Sequence, residues 1–275
     1  MILEGKTIIV TGGNKGIGLE ISKKIIKEGG YVFICSKNDN DNLKEYYGHY
    51  SFFKCDVSDE FQVHRFMNTI NEKYNNVYGL VNCAGIYGPI GKTTIIDNHS
   101  ILNTIKINLM GTINMCNSFI NLIKNKKRKI VNFSGGGASG PFPNYSAYAI
   151  SKIGIVKLTE NLSIELSKDN IDINCIAPGF VATNIHKKTL EAGPHTAGKE
   201  FYEKTKEQLE GKSTSPKIAA DLVIFLLSEE SNGISGKFIS APWDPWKEKN
   251  FQEELRNNKD LATIRRIDNK YFRKI

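Results

Sequence analysis

This sequence lacks the residues that hold small secreted or metal-built proteins together. Its five cysteines, Cys35, Cys55, Cys83, Cys116 and Cys175, are odd in number, widely spaced and never paired as Cys-x-x-Cys. That argues against a disulfide framework and predicts reduced, buried thiols. The five histidines, His49, His64, His99, His186 and His195, show no short ligand spacing, so no metal is expected. No apolar run approaches the roughly 18 residues of a membrane span, and Met1-Ile2-Leu3-Glu4-Gly5-Lys6 lacks the charged-then-apolar order of a signal peptide. A cytoplasmic protein with no membrane partner is the expectation. No aromatic platform interleaves with the basic run Lys124-Asn125-Lys126-Lys127-Arg128-Lys129, which argues against nucleic acid as a partner.

What is present describes a globular α/β chain. The 275 residues carry a net charge of +8 and are 40% hydrophobic, which excludes disorder as the main state. Short β-branched runs recur at Thr7–Val10, Tyr31–Ile34, Ser51–Phe53, Gly79–Val81, Lys129–Phe133, Ile171–Asn174 and Lys237–Ile239. Between them Ile17–Lys27, Glu60–Tyr74, Ile101–Ile123, Ala147–Leu166 and Pro216–Leu227 carry apolar residues at helical spacing. The alternation predicts a doubly wound, Rossmann-like, seven-stranded parallel sheet with helices on both faces, a single domain over 1–244. Two stretches break the pattern. Residues 183–212, with Gly193-Pro194 and many charges, predict a mobile lid with short helices of its own. Residues 245–275 hold nine basic and five acidic residues and predict a C-terminal extension packed on the domain or on a partner subunit.

The first strand runs through Gly12, Gly13, Asn14, Lys15, Gly16, Ile17 and Gly18 straight into a helix. A strand, a glycine turn and a helix N-terminus let backbone N–H groups meet a pyrophosphate, with the helix dipole favouring negative charge. The sequence here resembles the short-chain dehydrogenase/reductase family, from about Leu3 to Ala241. The likeness rests on that turn, Asp56-Val57 after the third strand, Asn82-Cys83-Ala84-Gly85 after the fourth, Asn108, Tyr148 with Lys152, and Pro178-Gly179 after the sixth. It implies that Asp56 and Val57 meet the adenine, that Asn82, Ala84 and Gly85 border the cofactor, and that Pro178, Gly179, Val181 and Thr183 hold the nicotinamide end. Charge speaks to which cofactor. NAD sites place an acid at the end of the second strand and NADP sites a base nearby; here Ser36 stands at that place, followed by Lys37, with Lys15 in the turn. NADP(H) is therefore favoured over NAD(H), although Asp39 and Asp41 oppose it.

Tyr-x-x-x-Lys occurs three times, as Tyr50/Lys54, Tyr148/Lys152 and Tyr202/Lys206. Tyr148/Lys152 opens a long helix after a glycine-rich bend, where a site beside a parallel sheet belongs. Four residues put both side chains on one helix face, so Lys152 is expected to lower the pKa of Tyr148, the general acid or base. The resemblance implies a water relay from Asn108 to Lys152, and a serine thirteen residues before Tyr148. Gly135 occupies that position, with Ser134 one residue before it and Ser139 four after. Both serines are candidates to replace a lost donor that is typically worth about 2.7–4 kcal/mol. The usual Asp-Gly-Gly after the last strand is also missing; Ser240-Ala241-Pro242-Trp243-Asp244-Pro245-Trp246 stands there, read as subunit packing or as a wall of the substrate pocket.

The charged lid predicts a small polar substrate. The Ser-Gly-Gly-Gly run and the tryptophan-bearing tail resemble a subgroup linked to polysaccharide and nucleotide-sugar pathways, so a sugar or nucleotide sugar fits. The favoured reading is an NADP(H)-dependent oxidoreductase. The alternatives are a nucleotide-sugar epimerase or dehydratase, and a non-catalytic dinucleotide-binding sensor. The resemblance further implies a homodimer or homotetramer built on the helices Asn108–Ile123 and Ala147–Leu166.

Overall fold

Strands form where β-branched and aromatic runs are covered on both sides. In β1 (Thr7–Thr11), Ile8 and Val10 enter one apolar layer and Ile9 the other, as the two-residue repeat of an extended chain requires. The computed structural model of the chain describes residues 1–40, 42–74, 77–122 and 126–266. Asp41, the end of the helix read to Ile123, the Lys124-Asn125 start of the basic run and the tail beyond Arg266 lie outside the described residues.

After β1 come α1 (Gly16–Lys27), β2 (Tyr31–Ser36), β3 (Tyr50–Lys54), α2 (Glu60–Lys73) and β4 (Val77–Asn82). Then follow α3 (Asn98–Ile105), α4 (Gly111–Leu122), β5 (Arg128–Phe133), α5 (Ser146–Glu165) and β6 (Ile171–Ala177). The chain continues with α6 (Asn184–Ala197), α7 (Lys199–Glu207), α8 (Pro216–Leu227), β7 (Phe238–Ser240) and α9 (Lys249–Asn257). The strands form one parallel sheet in the order β3-β2-β1-β4-β5-β6-β7. Helices α1 and α8 cover one face, with Ile21, Ile25, Leu222 and Leu226 in the same layer as Ile8. On the other face, α2 and α4 supply Val63, Met67, Met115 and Phe119. Each such buried side chain contributes about 1.5–3 kcal/mol. Strand order reverses between β1 and β4, and the crevice at the carboxyl ends of these strands is where a doubly wound sheet places its ligand.

One segment differs from expectation, and two take the general form expected. The single helix read over Ile101–Ile123 is interrupted: a π-helical turn, Lys106–Met110, separates α3 from α4. Asn108 lies in that turn with its side chain bonded outside the helix, so a backbone irregularity aims one polar group. Residues 183–212 do form short helices, α6 and α7, with a break at Gly193-Pro194. In the tail, Trp246 is buried against Phe225 and donates from Nε1 to the Ala241 carbonyl (3.0 Å). The Ala262 carbonyl accepts from the Phe238 N–H (2.7 Å), so the tail covers the outer edge of β7, where an unpaired strand invites association. Among the described residues no helix is long and apolar enough to cross a membrane.

Candidate active site

Loops after β4, β5 and β6 meet α5 and α6 around a cavity of about 430 Å³. Its floor is held by two sets of hydrogen bonds. Tyr148 and Lys152 are one turn apart on the buried face of α5. Lys152 Nζ donates to the Phe133 carbonyl at the end of β5 (2.9 Å) and lies 5.5 Å from the centre of the Tyr148 ring. Fully buried Asn108 accepts on Oδ1 from the Ile86 N–H and donates from Nδ2 to the Ile86 carbonyl and to Ser151 Oγ, each at 2.9 Å. Ser151 Oγ in turn donates to the Tyr148 carbonyl (2.7 Å). The sequence reading missed Ser151; its signal was its place between the tyrosine and the lysine.

The electrostatics correct one expectation. Burial pushes Lys152 down to about 8, against weaker raising contributions from the neighbouring Cys175 and Cys83. Burial also pushes the Tyr148 phenol well above its usual range, with Cys83 adding to the rise. Lys152 was expected to lower the tyrosine. Desolvation dominates the tyrosine, with no lowering contribution from Lys152 set against it, so Tyr148 is held as a phenol.

Glycine at 135 has a steric reason. A Cβ built there would overlap the Tyr148 hydroxyl, so the missing side chain is what lets the phenol oxygen approach the backbone after β5. Neither candidate replacement fills the gap directly. Ser134 Oγ donates to the Lys152 carbonyl (3.1 Å) and its N–H to the Ile176 carbonyl (2.9 Å), so Ser134 braces α5 against the sheet. Ser139 is exposed on the cavity rim.

Of the residues expected to hold a dinucleotide, Ile17 and Gly85 line the same cavity, and so do Pro178, Gly179, Val181 and Thr183. The glycine turn sits beside them: a Cβ on Gly16 would come within 3.6 Å of Thr183 Cγ2. Gly12 and Gly18 are glycines because a Cβ on Gly18 would collide with the Gly12 carbonyl, and one on Gly12 would come within 3.3 Å of Ala84 Cα. The N-terminus of α1, behind Lys15, has no side-chain cap. Thr11 Oγ1, which the sequence reading left out of the site, accepts from the N–H groups of Cys83 and Ala84 (3.0 Å each) and so fixes the turn after β4.

The remaining candidates lie away from the cavity. Asn82 Nδ2 donates to Asn132 Oδ1 (2.9 Å) and ties β4 to β5. Val57 is buried, its carbonyl taken by Asn114 Nδ2 (3.0 Å). Asn14 donates to the Asn38 carbonyl (2.5 Å) and accepts on its own carbonyl from Asn40 and Asn42, while its Oδ1 is buried without a partner. Ser36 ends β2. Lys37 and Asp56, expected to meet a 2′-phosphate and an adenine respectively, instead pair with each other at 2.8 Å. Burial raises the Asp56 carboxyl, but bonds from Lys37 and Ser58 outweigh it and hold the group below its usual range.

The upper wall was not foreseen. The lid is polar in composition, yet its inward face is not: Phe201 packs with Phe142 and Tyr145, and His186 packs on Phe180 (3.9 Å between ring centres) and meets Tyr87 nearly edge-on (5.5 Å). Trp243 also lines the cavity and is otherwise exposed, whereas Trp246 packs in the core. Trp246 thus packs within its own chain, and Trp243 stands at the cavity wall.

Comparison with known proteins gives a consistent picture. The sequence model of the family described as short chain dehydrogenase matches residues 6–193. The chain is 31% identical over 250 residues to the 3-oxoacyl-(acyl-carrier-protein) reductase of Chlamydia trachomatis, covering 87% of this chain and 97% of the relative. Among solved structures it superimposes on actinorhodin polyketide ketoreductase with NADPH at a TM-score of 0.77 and 25% identity, covering 86% of this chain and 95% of the other. An NAD+-bound xylitol dehydrogenase shares the fold at a TM-score of 0.78 and 23% identity, covering 87% and 98%.

Proposed function

This chain belongs to the short chain dehydrogenase family, and on that premise we propose that it moves a hydride between a nicotinamide dinucleotide and a polar carbonyl or secondary alcohol, with Tyr148 as general acid and base. The observation that carries this reading is the buried floor beneath the cavity, where Asn108 and Ser151 bond to each other and to the Tyr148 backbone, and Lys152, one turn on from Tyr148, is held by the Phe133 carbonyl. The residues present suit a dinucleotide. The glycine turn leads to an uncapped helix N-terminus, and the buried Asn14 Oδ1 has no partner in the chain. Pro178, Gly179, Val181 and Thr183 would hold the nicotinamide end, which would supply or take the hydride.

The chain's own residues handle the proton. Tyr148, kept as a phenol by burial, donates its proton to the carbonyl oxygen as charge develops there. Lys152 stands beside the resulting phenolate and steadies it while charged. Asn108 and Ser151 hold α5 in register with the loop after β4. The overlap at Gly135 places the phenol where a serine side chain would otherwise have stood.

The cofactor we propose is NADP(H). Its support is that β2 ends in Ser36 rather than an acid and that Lys37 and Lys15 stand nearby with exposed side chains. Because Asp56 offsets Lys37, the preference this lysine adds is modest, about tenfold or less. For assembly we propose a homodimer or homotetramer through the outer faces of α4 and α5, supported by the exposed Ile150 and Ile164 and by Met110 beside α4. The chain 1–244 is one catalytic domain, with 245–275 an extension of it.

The test is binding of NADPH and NADH followed by protein fluorescence, with a 340 nm turnover screen over ring and open-chain carbonyls. Turnover is expected. Tight binding with no product would favour a sensor, for which Gly135 is the one supporting feature. Product without net cofactor consumption would favour an epimerase or dehydratase.

A further inference from the structure

Tyr145 joins the catalytic helix to the lid. It precedes α5 by one residue and Tyr148 by three, and its carbonyl accepts from the Ala149 N–H (2.9 Å) to open that helix. Its side chain is fully buried. The ring stacks on Phe142 (4.4 Å between centres) and meets Tyr87 (5.3 Å) and Phe201 of α7 (5.1 Å) edge-on. A phenylalanine could make the same ring contacts. The hydroxyl adds what a phenylalanine lacks: it donates to Thr189 Oγ1 of α6 (3.0 Å), a residue that is fully buried as well. Next to it, Asn144 takes a left-handed φ of 70° and its carbonyl accepts from the Gly91 N–H (2.8 Å), which pins the backbone before α5 to the loop after β4. The corner between α6 and α7 closes on the same spot, where a Cβ on Gly198 would come within 3.2 Å of Asn144 Nδ2.

We infer that Tyr145 is a positioning residue that seats the lid helices α6 and α7 on the start of α5, and so fixes the substrate wall relative to the Tyr148 phenol. The inference rests on the oxidoreductase reading for the role of that phenol. Ile185 and His186 of α6 and Phe201 of α7 line the cavity, so where these helices sit decides the shape of the space above Tyr148. Thr189 lies one turn beyond Ile185, and Tyr145 about one turn before Tyr148. The bond between them therefore links the turn that carries the wall to the turn that carries the phenol. Both residues are shut off from solvent, so parting them leaves a buried hydroxyl without its partner, and the seat resists small displacements of the lid.

The test uses the full-length chain with NADPH and cyclohexanone, or the best ketone of the 340 nm screen, in the wild type, Tyr145→Phe, Thr189→Val, the double variant and Thr189→Ser. Removing the bond from either side should raise KM for the ketone by about three- to tenfold, with kcat and the Kd for NADPH within about twofold of the wild type. The double variant should be no worse than either single one, and Thr189→Ser, which keeps the hydroxyl, should behave as the wild type. A fall in kcat at unchanged KM is what mere loss of folded protein gives, and it overturns the assignment. Full additivity in the double variant does the same. A second arm is independent of turnover: amide hydrogen exchange of the NADPH-bound chain. Tyr145→Phe should speed exchange about three- to tenfold in α6 and α7 while leaving α1 and α8 as they were. No change in α6 and α7, or a uniform rise along the chain, overturns the seat. Faster exchange confined to α6 and α7, with no turnover by the wild type on any carbonyl, would refute the oxidoreductase reading alone.

Discussion

The floor and the upper wall of the cavity are built on opposite terms. On the floor, Asn108, Ser151 and Lys152 find partners inside the chain, so that α5, β5 and the loop after β4 lock together before any ligand arrives. On the wall, Phe201 of the lid packs on Phe142 and Tyr145, and His186 of the lid packs on Phe180. Chemistry needs fixed geometry, within a fraction of an ångström. The difference teaches that hydrogen bonds fix the geometry of the floor, while packed rings shape the wall.

Substitutions should separate the two regions. The largest effect is expected for Lys152→Met, which removes the ammonium bonded to the Phe133 carbonyl; kcat should fall by roughly 10²- to 10⁴-fold in a 340 nm assay. Gly135→Ser comes next and runs against the resemblance that would call for a serine there. Because its Cβ would overlap the Tyr148 hydroxyl, kcat should fall by about 10²-fold as the tyrosine is displaced; a gain in kcat would show that the phenol can move freely.

Two pH dependences follow from burial. Lys152 is charged below about 8 and loses its proton above it. Carbonyl reduction, which needs the ammonium beside a forming phenolate, should therefore decline as pH rises through about 8 in a kcat profile. His186 is held below its ordinary 6.5, down to about 4. As pH falls through this window the unfolded chain takes up the proton first, so stability present above about 6.5 is lost toward about 4. The slope is about 1.4 kcal/mol per pH unit. Thermal melts across that range should show the loss in the wild type and not in His186→Phe. The smallest effect concerns neither region: Lys37→Ala, at an exposed ion pair with Asp56, should change the NADPH to NADH ratio of kcat/KM by tenfold or less.

The floor was legible in the sequence because its parts are local. Tyr148 and Lys152 share one helix, the glycine turn is a contiguous run, and strand periodicity places both at one end of a parallel sheet. The wall was not, because it is assembled from the loops after β4, β5 and β6 and from α6 and α7. Tyr87, Phe142, Phe180, His186 and Phe201 are scattered through the chain, and the charges of the lid hide its inward apolar face. The direction of the Tyr148 shift also escaped a reading by spacing. Proximity to a lysine was visible along the helix, but the depth of burial that outweighs it was not. Likewise Lys37 was read as a free base, and only its position beside Asp56 across adjacent parallel strands shows that it is paired.

The central claim is that Tyr148 delivers the proton from a floor that works without a serine at 135. The most direct measurement is single-turnover reduction of a ring carbonyl by NADPH in the wild type and in Tyr148→Phe, with cofactor binding measured on both. The account predicts that binding is retained while the hydride-transfer rate falls by 10²-fold or more. An unchanged rate with intact binding would contradict it and place the acid elsewhere.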